Sequence, residues 1–336
     1  MRIAHTNMAG MLWVEAVCRR WSLRRMAGES RWQLALHMAR WLRLCVRQTR
    51  WLRSLDARET MRRAVRADPR LYERWHHPYI STHFDLDERR RIINAHYAFV
   101  SRHFPARLRE RLVQGGGMRV ARLRLEGGAE ASLHLRKPSR GDAGELNLLL
   151  LTADKQVLAS CTLTFDRADS VIIGAMRGAG PHTPFEATRE FIQGCHGLHP
   201  RDLLMSLVRE LAARHGLSRI RAVASHARVA DPLHDVATAE YDAFWREQGG
   251  LPAASGCHEL PLSLAPPPCA GGRYSRREKR RLQEAFRQTA CAAFAEGVPN
   301  QHNPATRRAV ALARERQTTA SGASGRRCSL MAAGLR

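Results

Sequence analysis

The sequence predicts an α+β protein: a mainly antiparallel central sheet completed by a crossover helix and preceded by N-terminal helices. Three observations predict this fold class. Residues 31–55 have helical periodicity, residues 118–176 alternate with a period of two, and a helix with start and stop signals lies between strand-like runs near residues 200–225. With 336 residues, the chain is long enough for one large domain or two small ones.

Three regions follow from these patterns. We expect a helical region at residues 1–110, an α+β domain with a basic C-terminal helix at residues 111–296, and a small, polar tail at residues 297–336. Such a tail is typical of disorder. The run Pro266-Pro267-Pro268 predicts a connector before the basic helix, which begins near Ser275.

The stretch from Arg31 to Leu55 predicts one basic amphipathic helix. It contains no acidic residue, and four arginines recur at helical spacing on one face: Arg40, Arg43, Arg47 and Arg50. A helix of this kind is able to lie on an anionic membrane surface. The more common arrangement buries the apolar face in the protein's own core, and both alternatives stay open.

The central region predicts a series of antiparallel strands. The alternation of Ala159, Cys161, Leu163 and Phe165 is typical of a half-buried strand. Comparable segments lie at residues 118–126, 131–137, 146–151 and 170–176, with turns at 127–128, 153–155 and 166–168. Before them, Asp85 or Asp87 is expected to cap a helix that runs from Glu88 to His103.

A crossover helix closes the predicted sheet. Pro200 suits a first helical turn, and Gly216 suits the position just after the last turn. Residues 219–225 then predict another strand, so the unit is strand, helix, strand.

The net charge of +24 is a signal of limited specificity. Only three of the 55 basic residues are lysines, and genome base composition can also produce such an arginine bias. An anionic lipid surface or a nucleic acid would fit the charge. A second basic cluster begins the C-terminal helix: Arg276, Arg277, Lys279 and Arg280. Nucleic acid is the less favoured partner, because no helix-turn-helix, zinc-finger or RNA-binding strand motif accompanies the charge.

Cysteines and histidines predict neither a disulfide framework nor a metal site. The eight cysteines form no C-x-x-C pair, and the five histidines between His76 and His103 lack partners at ligand spacing. No secretory signal or apolar run of about 18 residues is present. We therefore expect a cytoplasmic protein, with peripheral attachment to the inner membrane as an addition.

Four segments together resemble the VirK/YbjX family: IGAMRG at 173–178, HGLHPRDLLMSLVRELA at 196–212, AEYDAFWREQGG at 239–250 and SRREKRRLQEAF at 275–286. The resemblance runs from about Arg70 to Phe286. Arg177 departs from it, since glutamine is usual there, and residues 229–239 are shorter and less basic than expected. The resemblance implies a setting in Gram-negative virulence, envelope integrity, or antimicrobial-peptide and stress resistance, and no agreed activity.

The order of elements also resembles acyl-CoA-dependent N-acetyltransferases of the GNAT type. That resemblance implies a loop whose backbone N–H groups hold the cofactor's pyrophosphate, here formed by Gly194, Gly197 and Leu198. It further implies acyl-CoA as cofactor, His196 or Glu190 as general base and Cys195 as acyl acceptor. The alternatives are structural: a histidine that caps a helix and a cysteine that packs in the core.

We therefore predict an accessory protein for envelope integrity, virulence or stress resistance that binds at the inner membrane surface or to an envelope partner. The alternative is a GNAT-like acyltransferase. The sequence leaves the oligomeric state, substrate and partner open.

Overall fold

The computed structural model describes residues 2–26, 28, 30–139, 141–167, 169–180, 182–229, 238–253, 255–263 and 274–300. Within these ranges the side chains of residues 2–12, 23, 31, 34, 37, 40, 41, 238, 239 and 274–276 are not described. The predicted proline connector and most of the predicted tail fall outside this part of the chain. The predicted region boundaries stay predictions.

Six helices precede the sheet in the described chain. They are α1 (Arg2–Met26), α2 (Arg31–Arg43), α3 (Cys45–Asp56), α4 (Glu59–Ala67), α5 (Leu86–His103) and α6 (Ala106–Val113). The carboxylate of Asp85 accepts a hydrogen bond from the Glu88 N–H, which confirms the predicted cap of α5.

One sheet contains all the described strands. They are β1 (Gly117–Arg124), β2 (Glu130–Arg136), β3 (Leu146–Thr152), β4 (Val157–Asp166), β5 (Ser170–Arg177), β6 (Arg219–Val223), β7 (Leu251–Ala253) and β8 (Cys257–Leu260). Their order is β1-β2-β3-β4-β5-β6-β8-β7, and among the described pairs β5 with β6 is the parallel one. The predicted strands and the mainly antiparallel sheet are confirmed.

A crossover of two helices joins β5 to β6. Helix α7 spans Phe185–Gly194, and α8 spans Pro200–His215. Pro200 occupies the first turn of α8, and Gly216 ends the helix in the left-handed conformation with φ +67°, as predicted. Two further helices follow, α9 (Thr238–Glu247) and α10 (Tyr274–Gly297).

The sheet separates two hydrophobic cores. Leu203, Leu207 and Leu211 of α8 pack against the face that carries Cys161 and Met176, so the predicted apolar row of α8 is buried. The second core packs the N-terminal helices against Ile172 and Val223 on the other face. Because successive side chains of a strand point to opposite faces, the period-two pattern determines which residues enter which core.

The prediction of one continuous helix from Arg31 to Leu55 is wrong. The helix breaks at Leu44, whose φ of −103° and ψ of 19° lie outside the helical region. Trp51, Leu52 and Leu55 of α3 are buried in the second core, so this half of the stretch follows the common arrangement. Helix α2 does not bury an apolar face in this way, because every described side chain in it is exposed except that of Met38, which is half-buried.

Three elements carry no strong local signal. Helix α7 and the short strands β7 and β8 were not predicted, and β8 pairs with β6 through residues 257–260. Strands of three and four residues are too short for a periodicity to be counted. No helix in the described part of the chain is long and apolar enough to cross a bilayer.

A buried ionic network joins the N-terminal helices to the sheet. Arg74 donates to Glu145 and to Asp68, each at 2.6 Å, and Lys137 lies 3.1 Å from Asp68. The hydroxyl of Tyr97 on α5 donates to the second oxygen of Glu145 at 2.9 Å. Burial raises the pKa of the Asp68 and Glu145 carboxyls. The charges of Arg74 and Lys137 lower these pKa values by more than burial raises them, so both lie below the ordinary range.

Glu145→Gln should lower the free energy of unfolding by about 3 kcal/mol, because it leaves the buried Arg74 guanidinium with one carboxylate in place of two. Urea denaturation at neutral pH measures this change. Glu296→Gln, on an exposed side chain of α10, is the matched control and should leave the midpoint unchanged. An unchanged midpoint for Glu145→Gln would show that the network does not hold these layers together.

His215, at the end of α8, is buried next to Phe99 and Phe104, with ring centroids 5.3 and 5.8 Å away. Neither ring nitrogen has a hydrogen-bond partner among the described residues. Burial, then the neighbouring His103 and Arg214 charges, lowers the pKa of His215 to about 4. The unfolded chain binds a proton at this residue near pH 6.5 and the folded chain only near 4, so folding loses stability as the pH falls between these values.

His215→Phe should therefore raise the unfolding free energy by about 1 kcal/mol at pH 7, since it removes an unpaired buried polar ring, and should flatten the pH dependence between 6.5 and 4. Urea titrations at several pH values test both effects. His226→Gln, at an exposed histidine, serves as control. If the variant shows the same pH dependence of the unfolding free energy as the unmodified protein, His215 has the same pKa in the folded and unfolded chains.

Candidate functional site

A cavity of about 610 Å³ lies on the sheet face turned away from α8, and we call it the sheet cavity. Its floor consists of outward side chains of β3, β4 and β5: Asn147, Leu149, Ser160, Thr162, Ala175 and Arg177. These alternate along the strands with Cys161, Leu163 and Met176, which face the α8 core. Its walls come from residues 138, 139, 141–143, 155–157, 178–180, 182, 183, 228 and 229. Its volume is typical of a small-molecule site.

Four cationic side chains from separate segments border the sheet cavity: Arg136, Lys155, Arg177 and Arg228. The imidazole of His182 also lines it. Asp142 is the carboxylate among the lining residues. The Arg228 guanidinium stacks over the Tyr241 ring at 4.4 Å, which fixes this arginine at the wall. The cavity therefore favours an anionic ligand with a polar body.

The sheet opens beside this cavity because β5 and β6 pair over only part of their length. Ser170–Ile173 pairs with residues 219–222, and β5 then continues to Arg177 without a β6 partner. After Val223 the chain turns through a short helical segment, Ser225–Ala227, and brings Arg228 to the wall. The sheet cavity therefore lies beside the part of β5 that has no β6 partner.

A bulge at Gly174 allows residues 141–143, which form the roof of the sheet cavity, to lie close to the strands of its floor. The register of β4 with β5 shifts between the pairs Thr162–Ala175 and Leu163–Ile173, so Gly174 is the extra residue. A Cβ at Gly174 would lie 1.8 Å from the Ala143 carbonyl oxygen, which no side chain can accommodate. Glycine is needed here because the 141–143 segment lies directly on β5.

A glycine turn follows β5 at the rim. Gly180 donates its N–H to the Val157 carbonyl and accepts from Thr183, while the N–H groups of Gly178 and Ala179 donate to no backbone carbonyl within the described residues. Unpaired N–H groups beside arginines are suited to bind phosphate oxygens. We did not predict this turn, although two glycines directly after a strand were the available signal.

The predicted cofactor loop has a different arrangement. Cys195, His196, Gly197 and Leu198 donate their N–H groups to the carbonyls of Phe191, Gln193, Ile192 and Cys195 respectively. His196 has a φ of +56°, and these bonds form a Schellman closure of α7. No N–H in this run is left for a pyrophosphate. Gly194, Gly197 and Leu198 do not line the sheet cavity, so their predicted role is not favoured by the geometry.

The predicted catalytic residues also lie away from the sheet cavity. Cys195 is fully buried, and burial raises the pKa of its thiol to about 12, which disfavours a nucleophilic thiolate. Glu190 is exposed on α7. His196 Nδ1 lies 3.1 Å from the Glu126 carboxylate and borders a second cavity of about 580 Å³ between β1 and α10. Cys195, Glu190 and His196 therefore do not line one common cavity.

The structure describes most of the side chains that form the two predicted basic surfaces. Arg43, Arg47 and Arg50 are exposed across the junction of α2 and α3, and Arg277, Lys279 and Arg280 are exposed on α10. The side chains of Arg40 and Arg276 lie outside the described part of the chain. Lys279 reaches across the turn after α7, where a Cβ on Gly197 would lie 2.9 Å from Lys279 Cε. Within the described residues, no three histidine, cysteine or acidic side chains come together as metal ligands.

Known proteins similar to this chain include an uncharacterized protein and an acyltransferase. The chain is 25% identical to "Uncharacterized protein YbjX" of Escherichia coli (strain K12) over 224 residues, which cover 64% of this chain and 68% of YbjX. A solved structure, a mutant of a cAMP-binding acyltransferase from Mycobacterium smegmatis, matches at 11% identity with a TM-score of 0.26 and covers 61% of each chain. So low a score extends neither acyl transfer nor cAMP binding to this chain.

The family match is more extensive. The sequence profile described as "Protein of unknown function (DUF535)" matches residues 27–282. This range is more than half of the chain, and it includes three of the four segments that carry the resemblance and residues 275–282 of the fourth. The chain therefore belongs to the VirK/YbjX family, whose biochemical function is unknown.

Proposed function

We propose that this chain binds an acyl-CoA in the sheet cavity and acts as an acyltransferase. The single observation that carries the proposal is the cationic cavity beside the part of β5 that has no β6 partner, bordered by a glycine turn whose N–H groups at Gly178 and Ala179 donate to no backbone carbonyl of the described residues. The order of strands, crossover and aromatic helix supports it. The arginines and the turn would hold phosphate oxygens, and the polar floor would face the acyl chain's carrier arm.

The reaction needs few protein groups. The acceptor's amine nitrogen attacks the thioester carbonyl, a C–N bond forms, and the C–S bond breaks. A base takes the amine proton and returns it to the leaving thiolate, which departs as free CoA. His182 and Asp142 are the imidazole and the carboxylate that line the sheet cavity, and we assign the proton to one of these groups. The sheet separates His196 and Cys195 from this site.

A second candidate is the accessory role in envelope integrity, virulence or stress resistance that the family resemblance implies, at the inner membrane surface or on an envelope partner. One observation favours its membrane part. Of the ten exposed large apolar side chains among the described residues, seven lie between Val14 and Val46. Surface patches of this kind mark interaction sites.

Acyl-CoA at 100 times its dissociation constant should stabilise the purified protein by about 2.7 kcal/mol, seen as a rise in the melting temperature. Acetyl-CoA and a long-chain acyl-CoA should be tested separately, and release of free CoA with an amine acceptor reports the transfer itself. The double variant Arg177→Ala/Arg228→Ala should lose most of the shift.

Arg189→Ala, at an exposed arginine of α7, is the matched control for charge and should retain the shift. If no acyl-CoA changes the melting temperature of the unmodified protein, the acyltransferase proposal fails. If the control loses as much of the shift as the double variant, the ligand does not bind in the sheet cavity.

A further inference from the structure

The outward side of α2 is an apolar stripe that no described residue covers. Five residues at helical spacing form it: Trp32, Ala35, Leu36, Ala39 and Leu42. At 100° per residue they cover an arc of about 120° on one side of the helix. Trp32, Leu36 and Leu42 are 72%, 54% and 65% exposed. The N-terminal core therefore leaves this side uncovered.

Positive charge continues directly from the apolar stripe. Arg43, Arg47 and Arg50 are exposed, and no acidic residue occurs between Trp32 and Leu55. Arg47 has a carboxylate neighbour in Asp87 at 3.8 Å, a distance at which an exposed pair is weak. The adjoining Val46 is 69% exposed. Between Trp32 and Arg50 the surface thus combines exposed apolar side chains, one of them a tryptophan, with exposed arginines.

We propose that the α2 stripe docks on an anionic lipid bilayer, with the helix in the plane of the interface. Trp32, Leu36 and Leu42 would enter the boundary between headgroups and acyl chains, while Arg43, Arg47 and Arg50 contact lipid phosphates. This inference rests on the membrane part of the proposed function and is independent of the acyl-CoA site.

Charge favours a lipid surface over a second copy of this chain. Two α2 surfaces placed face to face would bring their arginine rows together without an acidic residue from this stretch to compensate, which opposes association. A bilayer with anionic headgroups neutralises the same row. An acidic protein partner is the other alternative, and the test below separates it.

The test is co-sedimentation of the full chain with phosphatidylcholine vesicles, with and without phosphatidylglycerol. We expect binding to the anionic vesicles that weakens as salt is added, because a Debye length of about 8 Å at physiological salt screens exposed charges. The variant Trp32→Ser/Leu36→Ser/Leu42→Ser should bind at least tenfold more weakly. It should fold normally, since all three side chains are exposed.

The matched control is Phe185→Ser/Leu251→Ser/Leu262→Ser, which removes the three exposed large apolar side chains that the described residues contain outside the N-terminal region. It should bind like the unmodified chain. Arg43→Gln/Arg47→Gln/Arg50→Gln should remove the preference for anionic vesicles.

Three results would overturn the proposal: no sedimentation with anionic vesicles, equal binding by the stripe variant, or loss by the control variant. A stripe variant that turns a dimer into a monomer by light scattering, with vesicle binding unchanged, would assign the stripe to a second copy. A chain that gains stability with acyl-CoA but ignores vesicles would leave the enzyme proposal standing and remove this one.

Discussion

The contact between Arg74 and Glu145 is the constraint on which the rest of the structure depends. Arg74 belongs to the N-terminal part of the chain and Glu145 immediately precedes β3, so their ion pair joins the N-terminal part to the sheet. The same guanidinium limits the neighbouring loop: a Cβ on Gly141 would lie 2.8 Å from it, and Gly141 has a φ of +77°. Two residues later, Ala143 rests on Gly174. The position of the roof over the sheet cavity thus follows from a buried charge pair.

The two faces of the sheet differ in polarity, and the sheet also separates the two hydrophobic cores. On the α8 face the side chains are apolar, and the turn after α7 satisfies its own N–H groups through the Schellman bonds. On the other face the same strands present Asn147, Ser160 and Thr162, and the turn after β5 has two N–H groups that donate to no backbone carbonyl of the described residues. These polar side chains and the turn offer hydrogen-bond partners to a ligand, which is why we assign the site to this face.

The sequence predicted the parts of the fold that local patterns determine. The alternation in β4 and the Pro200 and Gly216 signals of α8 are local, and the antiparallel strand and the ends of the helix were confirmed. The prediction that β4 is half-buried is wrong, because residues 161–166 are buried on both faces of the sheet. The sheet cavity could not be predicted in this way, because it depends on Ala143 meeting Gly174 and on Arg228 returning to the wall after β6. The glycines near residue 197 show the ambiguity most directly, since a phosphate-binding loop and a helix C-terminus both need a residue with positive φ.

The arginine excess illustrates why composition alone does not locate a binding surface. Several arginines are used inside the fold: Arg20 and Arg24 pair with Glu73, and Arg91 and Arg221 pair with Asp166. These charges stabilise contacts between elements and present little field to a partner. Arg43, Arg47 and Arg50 differ because they lie next to exposed apolar side chains, and the carboxylate recorded beside them among the described residues is Asp87, 3.8 Å from Arg47. Their position next to the stripe, more than the total of +24, is the reason to expect an anionic surface there.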